Sequence, residues 1–183
     1  MSGRKSQKLG ADFEAFIDMQ HAMAGMRGAL AHVVHNMPPS RFVDGKLIYS
    51  KAGVADYTGV LYGGLYLAAE AKSVAPGECL AKSRISLKQK LHLDRVIQAG
   101  GFAYLLVEFR SEDFKHRRYA ILWDRVPWKK KRTAESLDEA DLVKCESQIR
   151  MSTDKDYLAR DTDPSSNVFH CMNQFFVRKY ASK

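Results

Sequence analysis

The stretch FAYLLVEF, residues 102–109, constrains the fold more than any other part of the chain. Its apolar residues run on without alternation, which marks a central strand buried within a sheet. The segment YAILWDRV, 119–126, is expected beside it, with the basic loop KHRR between the two. Just upstream, SRISLKQKLHLDRVIQAGG reads as a helix with both ends marked. Ser86 and Gln89 stand at capping-box spacing, and Gly100-Gly101 supply the stop.

The earlier residues add a helix and several strands. ADFEAFIDMQHAMAGM carries apolar residues at 13, 16, 17, 19 and 23, a helical spacing, with Asp12 as a first-turn acid. A strand is expected over about 31–37, ended by Pro38-Pro39. Asp44-Gly45 signals one hairpin, and residues 56–72 form a second, folded at Gly63-Gly64. Beyond 127, KKKR reads as a surface loop, SLDEADLVK as a short helix, 150–167 as irregular, and VFHCMNQFFV as a final apolar element. The order of elements predicts a single α/β or α+β domain with a mixed central sheet flanked by helices.

Composition narrows the partners. Twenty-nine Lys and Arg against 21 Asp and Glu leave a net charge of +8, which favours a polyanion. Cys79, Cys145 and Cys171 are odd in number and far apart, so a reducing cytoplasmic setting is expected rather than a disulfide framework. There is no apolar run of the roughly 18 residues that a membrane span requires, so no membrane partner is expected. MSGRKSQKLG lacks an apolar core and reads as a basic arm rather than a secretory signal.

The chemistry concentrates in LYLAAEAKSV, 65–74. Residues i and i+2 of a strand share a face, so Glu70 and Lys72 project together while Ala71 points away. Asp56, on the partner strand of the hairpin, can bring a second carboxylate. Phosphodiester hydrolysis needs an activated water and charge neutralisation at phosphorus, and Mg²⁺ held by a few oxygens supplies both. The spacing also predicts a register. A plain two-residue turn at Gly63-Gly64 would set Asp56 opposite Ala71 and turn it away from Glu70. Bringing the acids together therefore requires an odd connection or a bulge.

These blocks resemble RecU-type Holliday junction resolvases of the PD-(D/E)xK nuclease superfamily, over much of residues 9–110. Asp56, Tyr57, Gly59, Glu70, Ala71 and Lys72 match the family's D-Y-x-G…E-A-K block. Gln89, His92, Leu93, Gly100 and Gly101 match its Q-x-x-H-L…G-G block, and Glu14 in GADFE matches a first-helix glutamate. Residue 55 is Ala where the superfamily has proline, and the likeness fades after 126.

The resemblance implies a restriction-endonuclease-like core and a Mg²⁺-dependent endodeoxyribonuclease, with Mn²⁺ as a substitute. It further implies a homodimer that resolves four-way DNA junctions by paired cuts. Asp56, Glu70, the Ala71 carbonyl and Glu14 would serve the metal. Lys72 would act on the water or the phosphorus, and Gln89 on the water or the scissile phosphate. Gln89 also has a sufficient structural role in the helix cap. Residues 1–9 would be a basic arm, 40–55 a short junction-reaching stalk, and 127–183 an extension of unassigned role. The small size and compact stalk would suit a phage-encoded version. Expected DNA contacts are Arg4, Lys5, Lys8, Arg41, Lys46, Tyr49, Lys51, Lys115, Arg117, Arg118, Lys129 and Lys130. His32 and His35, three apart on a strand, face opposite ways and read as no metal pair. Two other readings stand beside this one: a superfamily nuclease acting on other repair or replication intermediates, and a DNA-binding protein of the same fold that does not cut.

Overall fold

A computed structural model describes residues 10–19, 21–22, 32–37, 40–43, 46–49, 53–60, 64, 66–111, 116–131, 134–144 and 148–151. Arg4, Lys5, Lys8, Lys51, Lys115, the Asp44-Gly45 and Pro38-Pro39 pairs, Gly63 and the 168–177 element lie outside the described residues. Helix α1 runs through residues 10–19, with 21–22 also helical. Strands β1 (His32–His35), β2 (Ser40–Val43), β3 (Lys46–Tyr49), β4 (Tyr57–Val60) and β5 (Tyr66–Val74) follow. Next come β6 (Leu80–Ala81), helix α2 (Leu87–Gln98), β7 (Phe102–Arg110) and β8 (His116–Leu122). The last described elements are β9 (Lys129–Lys131), β10 (Ala134–Leu137), α3 (Glu139–Val143) and β11 (Gln148–Met151).

Six strands form the main sheet in the order β1-β4-β5-β7-β8-β11. Strands β5 and β7 are parallel, joined by the crossover through α2, and the other neighbours are antiparallel. The mixed sheet with flanking helices is thus the expected class. The unbroken apolar run becomes β7 at the centre, paired on both sides and buried from Ala103 to Phe109. Period-two alternation divides the core. On one face Leu67, Ala69, Ala71, Tyr104 and Leu106 meet Phe13, Phe16 and Ile17 of α1. On the other, Ala68, Val74, Ala103, Leu105 and Val107 meet Leu93 and Val96 of α2.

Helix α2 has the predicted caps. Ser86 Oγ accepts the Gln89 N–H, and Gln89 Oε1 accepts the Ser86 N–H. At the other end Gly100 takes φ +81°, and the Gly101 N–H bonds the Val96 carbonyl. A side chain at Gly101 would meet the Tyr66 carbonyl at 2.9 Å, so helix and strand are packed to backbone contact there.

Several expectations are corrected. The loop KHRR is mostly strand, because His116, Arg117 and Arg118 lengthen β8 and pair with Arg110, Phe109 and Glu108. KKKR is not simply a loop: Lys129–Lys131 form β9 in a three-stranded sheet ordered β6-β10-β9. In SLDEADLVK the first residues are strand β10, and the helix begins only at Glu139. Leu137 and Leu142 bury against the α2 face of the main sheet, which explains why this segment orders. The stretch expected to be irregular from 150 starts as β11, an edge strand on β8. Residues 40–49 form the β2–β3 hairpin, a sheet of its own with Val43 opposite Lys46. Among the described residues no helix is long and apolar enough to cross a membrane.

The β1–β4 contact tolerates no side chain at Gly59, where a Cβ would sit 2.1 Å from the His32 carbonyl and 2.7 Å from Val33 Cα. Both obstacles are backbone, so the strands would have to part. Gly59→Ala is expected to cost about 3 kcal/mol in urea unfolding. A stability equal to wild type would show that the two strands do not pack this closely.

Candidate active site

The β4–β5 register decides whether the two acids meet. Tyr57 pairs with Ala69 and Val60 with Tyr66, leaving residues 61–65 as an odd, five-residue connection. One step before Tyr57, Asp56 therefore falls opposite Glu70, as the spacing of the acids required. Asp56 lies just outside β4, and its Oδ2 accepts the Ala71 N–H at 2.8 Å. Asn36 fastens this turn. Its backbone N–H bonds the Asp56 carbonyl at 2.7 Å, and its side chain donates to Ala55 O and Thr58 Oγ1.

Glu70 is fully buried at the middle of an interior strand. Its Oε1 accepts from the Lys72 ammonium and from Gln89 Nε2. Among the described residues its Oε2 is buried with no hydrogen-bond partner. Burial pushes the Glu70 carboxyl up to about 7, the Lys72 charge opposes this, and the Asp56 charge adds to it. The Lys72 ammonium also reaches the Ala71 carbonyl at 3.0 Å and lies 3.8 Å from Asp56 Oδ2. One cation thus stands among oxygens from Asp56, Glu70 and Ala71.

The capping box settles how Gln89 presents itself. With Oε1 held by the Ser86 N–H, the amide must direct Nε2 at Glu70. One amide thus closes the helix cap with its oxygen and bonds Glu70 with its nitrogen.

Glu14 approaches from α1. Burial raises its carboxyl above the usual range, and the Asp56 charge adds to this. Its Oε2 lies 3.7 Å from His35 Nε2. His35 Nδ1 lies 2.8 Å from Asp18 Oδ2, and its ring stacks on Tyr57 at 4.6 Å. The Tyr57 hydroxyl donates to Asp18 Oδ1 at 3.1 Å and to the Glu14 carbonyl at 3.2 Å. Burial and the Asp18 charge raise the Tyr57 phenol, which keeps its proton as the donor. His35 and Asp18 join the site's margin. Nothing in their local sequence signals this, since α1 and β1 meet only in the folded chain.

The donors fit a hard, oxygen-seeking divalent cation: the carboxylates of Asp56 and Glu70 and the Ala71 carbonyl, with Glu70 Oε2 buried and without a hydrogen-bond partner among the described residues. Among the described residues no group of three or more His, Cys, Asp or Glu side chains is placed to hold a metal ion, so the oxygen set rests on two carboxylates and a carbonyl. An oxygen set of this kind leaves positions for water and a phosphate.

The expected DNA contacts divide. Arg118 is a correction: it is 4% exposed, bonds Glu108 through Nε and Nη2 at 3.0 Å, and lies over the Phe16 ring. It faces inward because residues 118, 120 and 122 of β8 share the α1 face. Arg117 turns the other way and is engaged by Glu139, with Nη2 2.7 Å from Oε2. Lys129 and Lys130 are both exposed, and Lys129 pairs with Asp141. Arg41, Lys46 and Tyr49 lie on the β2–β3 hairpin.

The cap can be tested apart from the chemistry. Ser86→Ala removes the acceptor for the Gln89 N–H and is expected to cost ~1 kcal/mol in urea unfolding. An unchanged midpoint would mean that Ser86 does not cap α2.

Comparison with known proteins follows this geometry. The family model described as RecU, Recombination protein U, matches residues 32–158, more than half of the chain. Asp56, Glu70, Lys72 and Gln89 fall inside that stretch and Glu14 outside it. Among solved structures the chain is similar to Hjc, a Holliday junction resolvase from Archaeoglobus fulgidus, at 14% identity. The match covers 67% of this chain and 88% of that one, with a TM-score of 0.38. No curated protein matches.

Proposed function

The chain belongs to the RecU family of Holliday junction resolvases, and from that premise we propose a Mg²⁺-dependent endodeoxyribonuclease that resolves four-way DNA junctions as a homodimer. Mn²⁺ would substitute for Mg²⁺. The observation that carries this reading is the convergence of Asp56, Glu70 and Ala71 oxygens on one cationic group, Lys72 Nζ. These three residues would hold the metal, with Glu14 reaching it through water.

When bound, a divalent ion supplies an acidified water and neutralises charge on the phosphate. The protein's part is to place the groups around it. Burial strips water from Glu70, so this carboxylate interacts strongly with any cation brought to it. Gln89 fixes the orientation of Glu70 and leaves Oε2 for the metal. Lys72, on the same strand face, brings positive charge to the phosphorus and a nitrogen able to move the water's proton. The overall charge of +8 offsets repulsion between phosphates and the acids. The β2–β3 hairpin, carrying Arg41, Lys46 and Tyr49, would enter the junction. Two symmetric cuts need two copies of the site, which a two-fold dimer provides.

A labelled four-way junction and a linear duplex of the same sequence, each with and without Mg²⁺, test this reading. Wild type is expected to cut the junction preferentially, to stop with a chelator, and to resume when Mg²⁺ is restored. Asp56→Asn and Lys72→Ala should each lower the cleavage rate by about 10²–10³. Both variants should still bind the junction in Ca²⁺. Cleavage by either variant at the wild-type rate would remove these residues from the chemistry.

A further inference from the structure

An open cleft of about 440 Å³ lies where β5 begins and α2 ends. Tyr66, His92, Arg95 and Val96 line it, with Gly100 and Gly101. It is built from the same two elements, β5 and α2, that carry Glu70 and Gln89. Tyr66, Ala68, Glu70 and Lys72 alternate onto one face of β5. On α2, Gln89, His92 and Arg95 follow at intervals of three, each neighbouring the next one turn on. The cleft therefore repeats the pairing of Glu70 with Gln89 further along the same strand and helix. Tyr66 and Glu70 are four residues apart, or about 13 Å at the rise of a strand.

Its chemistry differs from that of the metal site. Tyr66 is 41% exposed although it is aromatic, and so offers a ring face to a ligand. Arg95 is exposed at the rim and supplies a fixed positive charge. His92 Nε2 is buried, with no hydrogen-bond partner among the described residues. Burial and the Arg95 charge lower the His92 imidazole, which keeps the ring neutral and able to stack or hydrogen-bond. The glycine wall lets a flat ligand approach the backbone, and Gly100 has open space where a side chain would stand. A ring face, a neutral imidazole and a guanidinium together suit one unstacked nucleotide: base on Tyr66, polar edge to His92, phosphate to Arg95.

Resting on the proposed nuclease function, we propose that this cleft receives a nucleotide displaced from the stack at the branch point, a few nucleotides from the scissile phosphate. Stacked DNA advances about 3.4 Å per nucleotide, so the distance from Glu70 corresponds to roughly three or four steps along the strand. Unstacking is costly within a continuous duplex and cheaper where pairing is interrupted. The cleft would thus contribute to the choice of junction over duplex, in addition to the hairpin.

The test uses full-length protein in Ca²⁺ and a junction with 2-aminopurine at each position flanking the branch. Wild type is expected to raise the fluorescence at one position as that base leaves the stack. Tyr66→Ala and Arg95→Ala should abolish this rise and weaken junction affinity about tenfold, with duplex affinity changed far less. Tyr66→Phe should restore the signal, because it keeps the ring. Thermal midpoints equal to wild type would show that the variants fold. Wild-type fluorescence and affinity in both alanine variants would overturn the subsite, as would equal losses on junction and duplex. If wild type itself cuts the junction no better than duplex, the proposed function fails and the subsite with it. Resolution by wild type together with unaltered alanine variants would remove the subsite alone.

Discussion

The burial of Glu70 is the constraint around which this protein is organised. A carboxylate with no exposure, on an interior strand, loses several kcal/mol of solvation unless neighbours replace water. Here two neighbours donate to it, Lys72 from the same strand and Gln89 from the crossover helix, while Asp56 faces it from across the hairpin and its charge adds to the penalty. Each depends on a larger feature. Lys72 needs the period-two alternation of β5. Gln89 needs the cap that starts α2 at the right residue. Asp56 needs the odd connection that sets the β4–β5 register. The sheet core and the candidate site are therefore one problem in packing.

A second buried acid on the same sheet shows what a satisfied carboxylate looks like. Glu108, 1% exposed, receives Arg110 Nε at 2.7 Å and Ser73 Oγ at 2.9 Å on Oε2, and Arg118 at 3.0 Å on Oε1. Both of its oxygens are occupied by fixed donors, so it binds the β5, β7 and β8 strands to one another. Glu70 has one oxygen doubly engaged and the other without a donor among the described residues. In a native interior, an unmatched buried polar atom calls for an explanation, and a bound water or ion is one of them. The two acids differ in partners rather than in burial, and that difference separates a structural carboxylate from a candidate ligand.

The basic residues show the same principle from the other side. A net charge of +8 predicts a polyanionic partner, but says nothing about which cations are available to it. Arg117 and Arg118 are adjacent in a run that reads as a solvated loop. Because that run is strand, they point to opposite faces, one to Glu139 and the other to Glu108 and the Phe16 ring. Lys130 and the hairpin residues remain candidates. The number of positive charges follows from composition, whereas their availability follows from what the opposite element carries.

Much of the frame was legible in order along the chain. The unbroken apolar run named the central strand, Ser86 and Gln89 named the start of α2, and the spacing of Asp56, Glu70 and Lys72 required an odd hairpin. These are local or near-local patterns, written in periods of two and of three to four residues that the sequence displays directly. Tertiary structure decided the rest: that β5 lies inside the sheet rather than at its edge, that His35 and Asp18 meet beside Glu14, and that Glu70 keeps an unmatched oxygen. It also brought Tyr66 to the α2 terminus across a glycine contact. All of these join residues from different elements, and no local pattern encodes which elements will face each other. Sequence determined which groups are candidates for the site; the closure of one strand on another determined which of them meet.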